Sequence, residues 1–187
     1  VYRQQDGRFL DLLNAVRDNR LSTAALAELN RRHVPDFAPA DADGIITLCT
    51  HNAQAQRLND SKLAALPGPA VRFAADVAGD FPESSFPVDP RIELKVGAQV
   101  LFVKNDPSPD KRFFNGKLGR VAAIADGAVR VRCPGDPADI SVAPMQWDNV
   151  KYAIDRATHR IADTVQGTST QLPPKLARAI PTPARRG

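Results

Sequence analysis

Leu94-Lys95-Val96-Gly97-Ala98-Gln99-Val100-Leu101-Phe102-Val103-Lys104-Asn105-Asp106 marks the point where the chain turns to β structure. Residues 99–103 read as a strong strand, an apolar run with a β-branched and aromatic content that suits a pleated, half-buried surface. Moving toward the C-terminus, Asn115-Gly116 is the best short-range hairpin signal in the chain. Residues 121–124, 128–132 and 140–142 supply three more strands, and Asp126-Gly127 is a second tight-turn dipeptide. Residues 91–150 therefore read as all-β, a small barrel or sandwich of about 60 residues. Trp147 is expected as a core or lid residue, and Tyr152, Ile154, Ile161 and Val165 are apolar positions that can continue the β module. Beyond Gln171, the prolines 173, 174, 181 and 183 argue against long regular structure.

Toward the N-terminus the texture differs. Residues 67–90 are rich in Pro, Gly and Asp, with one expected strand at 71–75. Residues 52–65 read as a helix with Ala55, Leu58, Leu63 and Leu66 as core positions. The run Ile45-Ile46-Thr47-Leu48-Cys49-Thr50 has the length and β-branching of a buried strand. Residues 34–44 carry Pro35, Pro39 and Gly44 and read as a loop. Residues 6–19 form an expected amphipathic helix, with Asp6 as cap and Phe9, Leu12, Leu13 and Val16 on its apolar face. A second helix spans 22–32, capped by Ser22 or Thr23, with Leu26 and Leu29 buried. Two helices, a buried strand and a further helix suggest part of an α/β domain.

The chain has 187 residues, with 43% hydrophobic and 25% charged residues, which is ordinary globular usage. Cys49 and Cys133 are too few for a disulfide framework, so a reducing compartment, the cytoplasm, is expected. No apolar run approaches the length of a membrane span. The start, Val1-Tyr2-Arg3, has neither Met nor a signal-peptide pattern, so the chain reads as a piece of something longer. The formal charge is +4, and its excess lies at the C-terminal end: residues 151–187 hold seven Lys and Arg against two Asp. There is no G-x-x-x-x-G-K-[ST], H-E-x-x-H, C-x-x-C or G-x-S-x-G. His33, His51 and His159 are scattered, and no self-contained active site or metal site is visible.

Five segments, in order, carry a family pattern. They are Tyr2-Arg3-Gln4-Gln5-Asp6 with the helix after it; Ile46-Thr47-Leu48-Cys49-Thr50-His51-Asn52 with Asn59; the 94–106 stretch; Asn115-Gly116-Lys117-Leu118-Gly119-Arg120-Val121; and Gly167-Thr168 with Gln171-Leu172-Pro173-Pro174-Lys175-Leu176-Ala177. In these the chain resembles the Pif/RecD-like superfamily 1 (5′–3′) DNA helicases. The resemblance implies α/β plus all-β architecture: a partial RecA-like (P-loop NTPase) second motor domain over 1–91, an inserted small SH3-like β-barrel over 92–170, and a return segment over 171–187, expected to be disordered. It places the phosphate-binding loop and the acidic Mg²⁺ motif in a first motor domain outside this chain. ATP and Mg²⁺ are cofactors of an intact member, with none implied for this piece alone.

The resemblance also implies roles. Arg3 matches the arginine that reaches across the motor cleft to the γ-phosphate, where a permanent planar cation stabilises transition-state charge. Gln4 matches a nucleotide-contacting position. Thr50, His51 and Asn52 match a loop that holds single-stranded DNA, and their residue types suit phosphate oxygens. Capping of the 52–65 helix by Thr50 or Asn52 is the alternative, and the two are compatible. Lys95, Lys104, Asn105, Asn115 and Lys117 surround Phe113 and Phe114, a combination of cations and aromatics that suits single strands. The alternative is an ordinary small barrel with core phenylalanines and solvated lysines. Gly97, Gly116 and Gly119 read as turn glycines. From Arg178 onward the chain departs from the family, and Pro181 and Pro183 are expected to disrupt the strand that follows. The implied partners are single-stranded DNA and the absent first motor domain, with a monomeric, membrane-free state. The implied function is a piece of an ATP-dependent DNA helicase, serving DNA repair and recombination, that is inactive by itself. The alternatives are a non-catalytic nucleic-acid or protein-binding module and a degenerate remnant.

Overall fold

The computed structural model describes residues 6–40, 44–125, 127–155 and 160–182. The chain forms two compact units, residues 1–40 and 41–187. Packing thus divides the chain nearer its start than the change of texture at 91 does.

The first unit holds α1 (Gly7–Arg17) and α2 (Thr23–Asn30). Both begin on the expected caps: Asp6 accepts from the Phe9 N–H at 3.1 Å and Ser22 from the Ala25 N–H at 3.2 Å. Arg8 pairs with Glu28, and the Arg32 guanidinium lies over the Phe9 ring. Of the expected apolar stripe only Leu12 is buried, while Leu13, Val16 and Leu26 stay exposed. Two short helices offer each other too little surface to cover a full stripe.

The second unit contains β1 (Thr47–Cys49), α3 (Asn52–Ala65), β2 (Val71–Ala74), β3 (Asp76–Gly79), a 3-10 turn (Glu83–Ser85), β4 (Arg91–Leu94) and β5 (Gln99–Phe102). It continues with β6 (Leu118–Ala125), β7 (Ala128–Arg132), β8 (Ile140–Val142), β9 (Met145–Asp155), β10 (Arg160–Gln171), β11 (Pro174–Leu176) and β12 (Ala179–Pro181). Among the described residues four sheets result, with strand orders β11-β5-β6-β7-β8, β3-β10-β9, β2-β4 and β1-β12. The first is antiparallel throughout. Its strand β7 alternates strictly, Val129 and Val131 inward and Ala128, Arg130 and Arg132 outward. The core of this unit gathers Leu94, Val100, Phe102, Phe113, Val121, Ile140, Val142 and Leu172, with Leu63 from α3. Phe102 and Phe113 stack with ring centroids 4.3 Å apart.

Several expectations are corrected. Residues 45–50 do not make a buried strand: β1 has three residues, Leu48 is 65% exposed, and only Cys49 is buried. A single neighbour explains this, since among the described residues β1 pairs with β12 alone. Residues 171–182, expected to be disordered, form β11 and β12, with Leu172, Ala177 and Ala179 among the most buried residues. Pro181 ends β12 without breaking it. The N–H of Thr182 donates to Cys49 O, whereas that of Ala179 points away from β1 to Asn59. By strand alternation the nitrogen of Pro181 faces the same way as that of Ala179, where no ladder bond is required. Pro183 lies outside the described residues.

Asn115-Gly116 does not close a two-residue hairpin. Only Gly116 has positive φ (+97°), whereas the favoured two-residue turn needs it at both centres. The dipeptide instead sits in a turn from Phe114 to Lys117 at the end of the long connection between β5 and β6. Gly119 is no turn glycine: it lies inside β6, where a Cβ would meet Val131 Cγ1 at 2.3 Å. Tyr152 and Val165 belong to a long β9–β10 ribbon in a separate sheet, and both are exposed. Asp126, in the other expected turn, lies outside the described residues.

Candidate nucleic-acid interface

β1 and β12 run parallel, with Thr47 N–H bonded to Arg178 O at 2.9 Å and Thr182 N–H to Cys49 O at 2.7 Å. The chain leaves the C-terminal end of β1 through Thr50 and His51 and enters α3 at Asn52. This is the edge at which open α/β sheets present ligand contacts. All three residues are exposed. The capping position of α3 is His51, not Thr50 or Asn52, and its side chain makes no capping bond. The imidazole Nδ1 is instead 2.8 Å from Thr50 Oγ1. The first turn of α3 carries no acidic residue. An exposed helix start without a side-chain cap or a carboxylate keeps its partial positive charge toward solvent.

α3 is fixed from beneath by Asn59. Its buried amide donates to Ala179 O at 3.0 Å and accepts from Ala179 N–H at 2.8 Å. Cys49, Ala55 and Ala179 pack as a small buried cluster beside it. Sequence reasoning assigned Asn59 no task. The available signal was its spacing with Ala55 and Leu63, which puts an amide on the buried stripe of the helix.

Lys95 serves the other end of α3, donating to Leu66 O at 2.9 Å. A cation there complements the helix C-terminus. Fourteen residues at about 1.5 Å each separate the two ends by roughly 20 Å. A groove of 870 Å³ is lined by Asn52, Gln56, Arg91, Lys95 and Lys175.

The remaining expected contacts lie on the β5–β6 connection. Asn105 Oδ1 accepts the N–H of Asn115 at 2.8 Å, which ties the two together. Lys104 donates to Gln146 O, and its ammonium sits 4.8 Å from the centre of the Trp147 ring. Lys117 is largely buried, 2.7 Å from Asp136 Oδ2 and 2.8 Å from Arg112 O. Lys95 and Lys117 thus hold groups of the fold itself. Phe113 is core, whereas Phe114 is 58% exposed. Asp106, which sequence reasoning passed over, organises this loop. Its buried carboxylate accepts from Ser108 N–H and Arg112 N–H, each at 3.0 Å, and from Arg112 Nε at 3.2 Å. Burial pushes this carboxyl up, but the hydrogen bonds from Ser108 and Arg112 outweigh it and hold the group below the ordinary carboxylate range.

Thus the structure groups Thr50, His51 and Asn52 at one place and Lys104, Asn105 and Asn115 at another. Arg3 and Gln4 lie outside the described residues. Among the described residues no three His, Cys, Asp or Glu side chains come together. The loop into α3 holds Thr50 and His51 where a phosphate cradle needs glycines. These residues by themselves do not fit a metal–triphosphate group.

No family model matches the chain. It is 36% identical over 126 residues to the ATP-dependent DNA helicase RRM3 of Saccharomyces cerevisiae, covering 65% of this chain and 17% of that protein. It is 35% identical over 131 residues to the human ATP-dependent DNA helicase PIF1, covering 66% and 20%. Its homologues are the Pif1 and RRM3 helicases. The chain spans about a fifth of the length of these relatives. Its fold matches that of Pif1, a RecA-like helicase fold. Pif1 from a Bacteroides species in complex with ADP-AlF4 superposes with a TM-score of 0.83 and 29% identity, over 96% of this chain and 40% of that one. Bacteroides Pif1 bound to ssDNA gives 0.68 and 30%, over the same shares. No helix among the described residues is long and apolar enough to cross a membrane.

Proposed function

We propose that this chain is a second-motor-domain piece of an ATP-dependent DNA helicase that moves along single-stranded DNA. The observation that carries this is the match of 96% of the chain to 40% of Bacteroides Pif1 at a TM-score of 0.83. In this reading residues 1–91 and 171–187 belong to the motor domain and 92–170 are an SH3-like insertion. Thr50, His51 and Asn52 hold the phosphate backbone at the open start of α3, and Lys104, Asn105 and Asn115 add a second contact. Lys95 and Lys117 support these surfaces through the bonds described above. Arg3 and Gln4 act on nucleotide held by a first motor domain, so the chain alone is catalytically silent.

Fluorescence anisotropy with a labelled oligonucleotide tests the binding. The expected result is binding at low salt whose logarithm falls linearly with the logarithm of salt concentration. Removing Thr50 and Asn52 together (T50A/N52A) weakens it at unchanged slope, because both side chains are neutral and release no counterions. Absence of binding at low salt overturns the DNA reading. DNA-stimulated ATP hydrolysis by the purified chain overturns the claim of silence.

A further inference from the structure

Phe113 and Phe114 are adjacent yet have opposite fates. Phe113 is buried against Phe102, and Phe114 is turned out to solvent. The loop that presents Phe114 is held at many points. The Asp106 N–H bonds to Phe113 O, Asn115 to Asn105, Gly116 to Phe102 O, and Lys117 N–H to Phe114 O. The Asp106 carboxylate takes three further donors. The loop also carries Lys111 at φ +43°, a left-handed conformation that is costly for a residue with a side chain and persists only where its surroundings impose it. An apolar ring is thus held in water on a loop that also carries the exposed Lys111, at the cost of local strain. A flat exposed hydrophobic face with a cation on the same loop matches a nucleobase and its phosphate.

We propose that Phe114 is a stacking contact for a base of single-stranded nucleic acid, and that Asp106 is the positioning residue that preorganises its loop. This rests on the DNA reading above and deepens it. Stacking on a π-face is tolerant of sequence, as a translocating protein requires. It also separates two kinds of contact: charge at Lys111, area at Phe114.

Salt-dependent anisotropy on the full chain tests the assignment. Phe114→Ala is expected to weaken oligonucleotide binding by about tenfold or more, with the salt slope unchanged. Phe114→Trp is expected to restore the affinity. Lys111→Ala is expected to flatten the slope instead. Asp106→Asn weakens binding in the wild-type background but adds nothing to Phe114→Ala, a non-additivity that general destabilisation does not produce. Circular dichroism confirms folding, and exposure of Phe114 makes that outcome secure for F114A. Equal binding by wild type and F114A overturns this inference and leaves the DNA reading standing. Loss in F114A that Trp does not restore also overturns it. Failure of the wild type to bind at low salt overturns both.

Discussion

Asn59 commits both ends of its amide to the backbone of Ala179, a residue 120 positions away in sequence. Replacing it by Ala leaves a buried N–H and a buried C=O without partners. Asn59→Ala is therefore expected to cost about 2–3 kcal/mol, read as a lower urea midpoint at unchanged m-value. Asp106 gives a pH-dependent contribution. Its folded carboxyl titrates below the unfolded value, so its stabilisation is complete above that value and is lost as pH falls through the lowered folded one. Unfolding midpoints measured from neutral pH down into the acid range are expected to fall less steeply in Asp106→Asn than in wild type. A wild-type profile parallel to that of the variant would refute this.

At the level of elements, close packing of β6 on β7 leaves Gly119 no space for a side chain. A Cβ there meets Val131 Cγ1 at 2.3 Å and Arg132 O at 3.0 Å. Gly119→Ala is expected to cost about 1–3 kcal/mol by overpacking, checked by thermal unfolding. Strands such as β5 and β7 were legible because their apolar pattern is local. So were the starts of α1 and α2, where Asp6 and Ser22 stand directly before the helices they cap. β12 was illegible for the opposite reason: its partner is remote, and its proline is tolerated only because of the direction its nitrogen faces. β10 hid behind Thr, Ser and Gln, whose place in a strand is set by pairing with β9 and β3. The position of the Thr50–Asn52 loop was legible because it follows an apolar run and starts a helix, whereas a DNA role for it came only from the family resemblance. Asp106 was not, because nothing local shows that its carboxylate folds back onto its own loop.

The whole second unit is closed by its ends. β12, Asn59 and the Gln99 amide, which donates to Ala177 O at 3.1 Å, draw the last strands back to the first elements. Deleting residues 179–187 is expected to uncover Cys49, a residue only 3% exposed. A thiol reagent then labels Cys49 rapidly in the deletion and slowly in the intact chain. Cys133, in the other core and with its thiol pushed up by burial, stays slow in both. The same closure governs how the molecule is made. A ribosome adding roughly 5–20 residues per second takes about 6–24 s to travel the 120 residues from Asn59 to Ala179. Throughout that interval β1 has been synthesised and β12, with which it pairs, has not. The nascent chain carries Leu48 and Cys49 as an unpaired strand, which gives a chaperone a long time to act on this short segment.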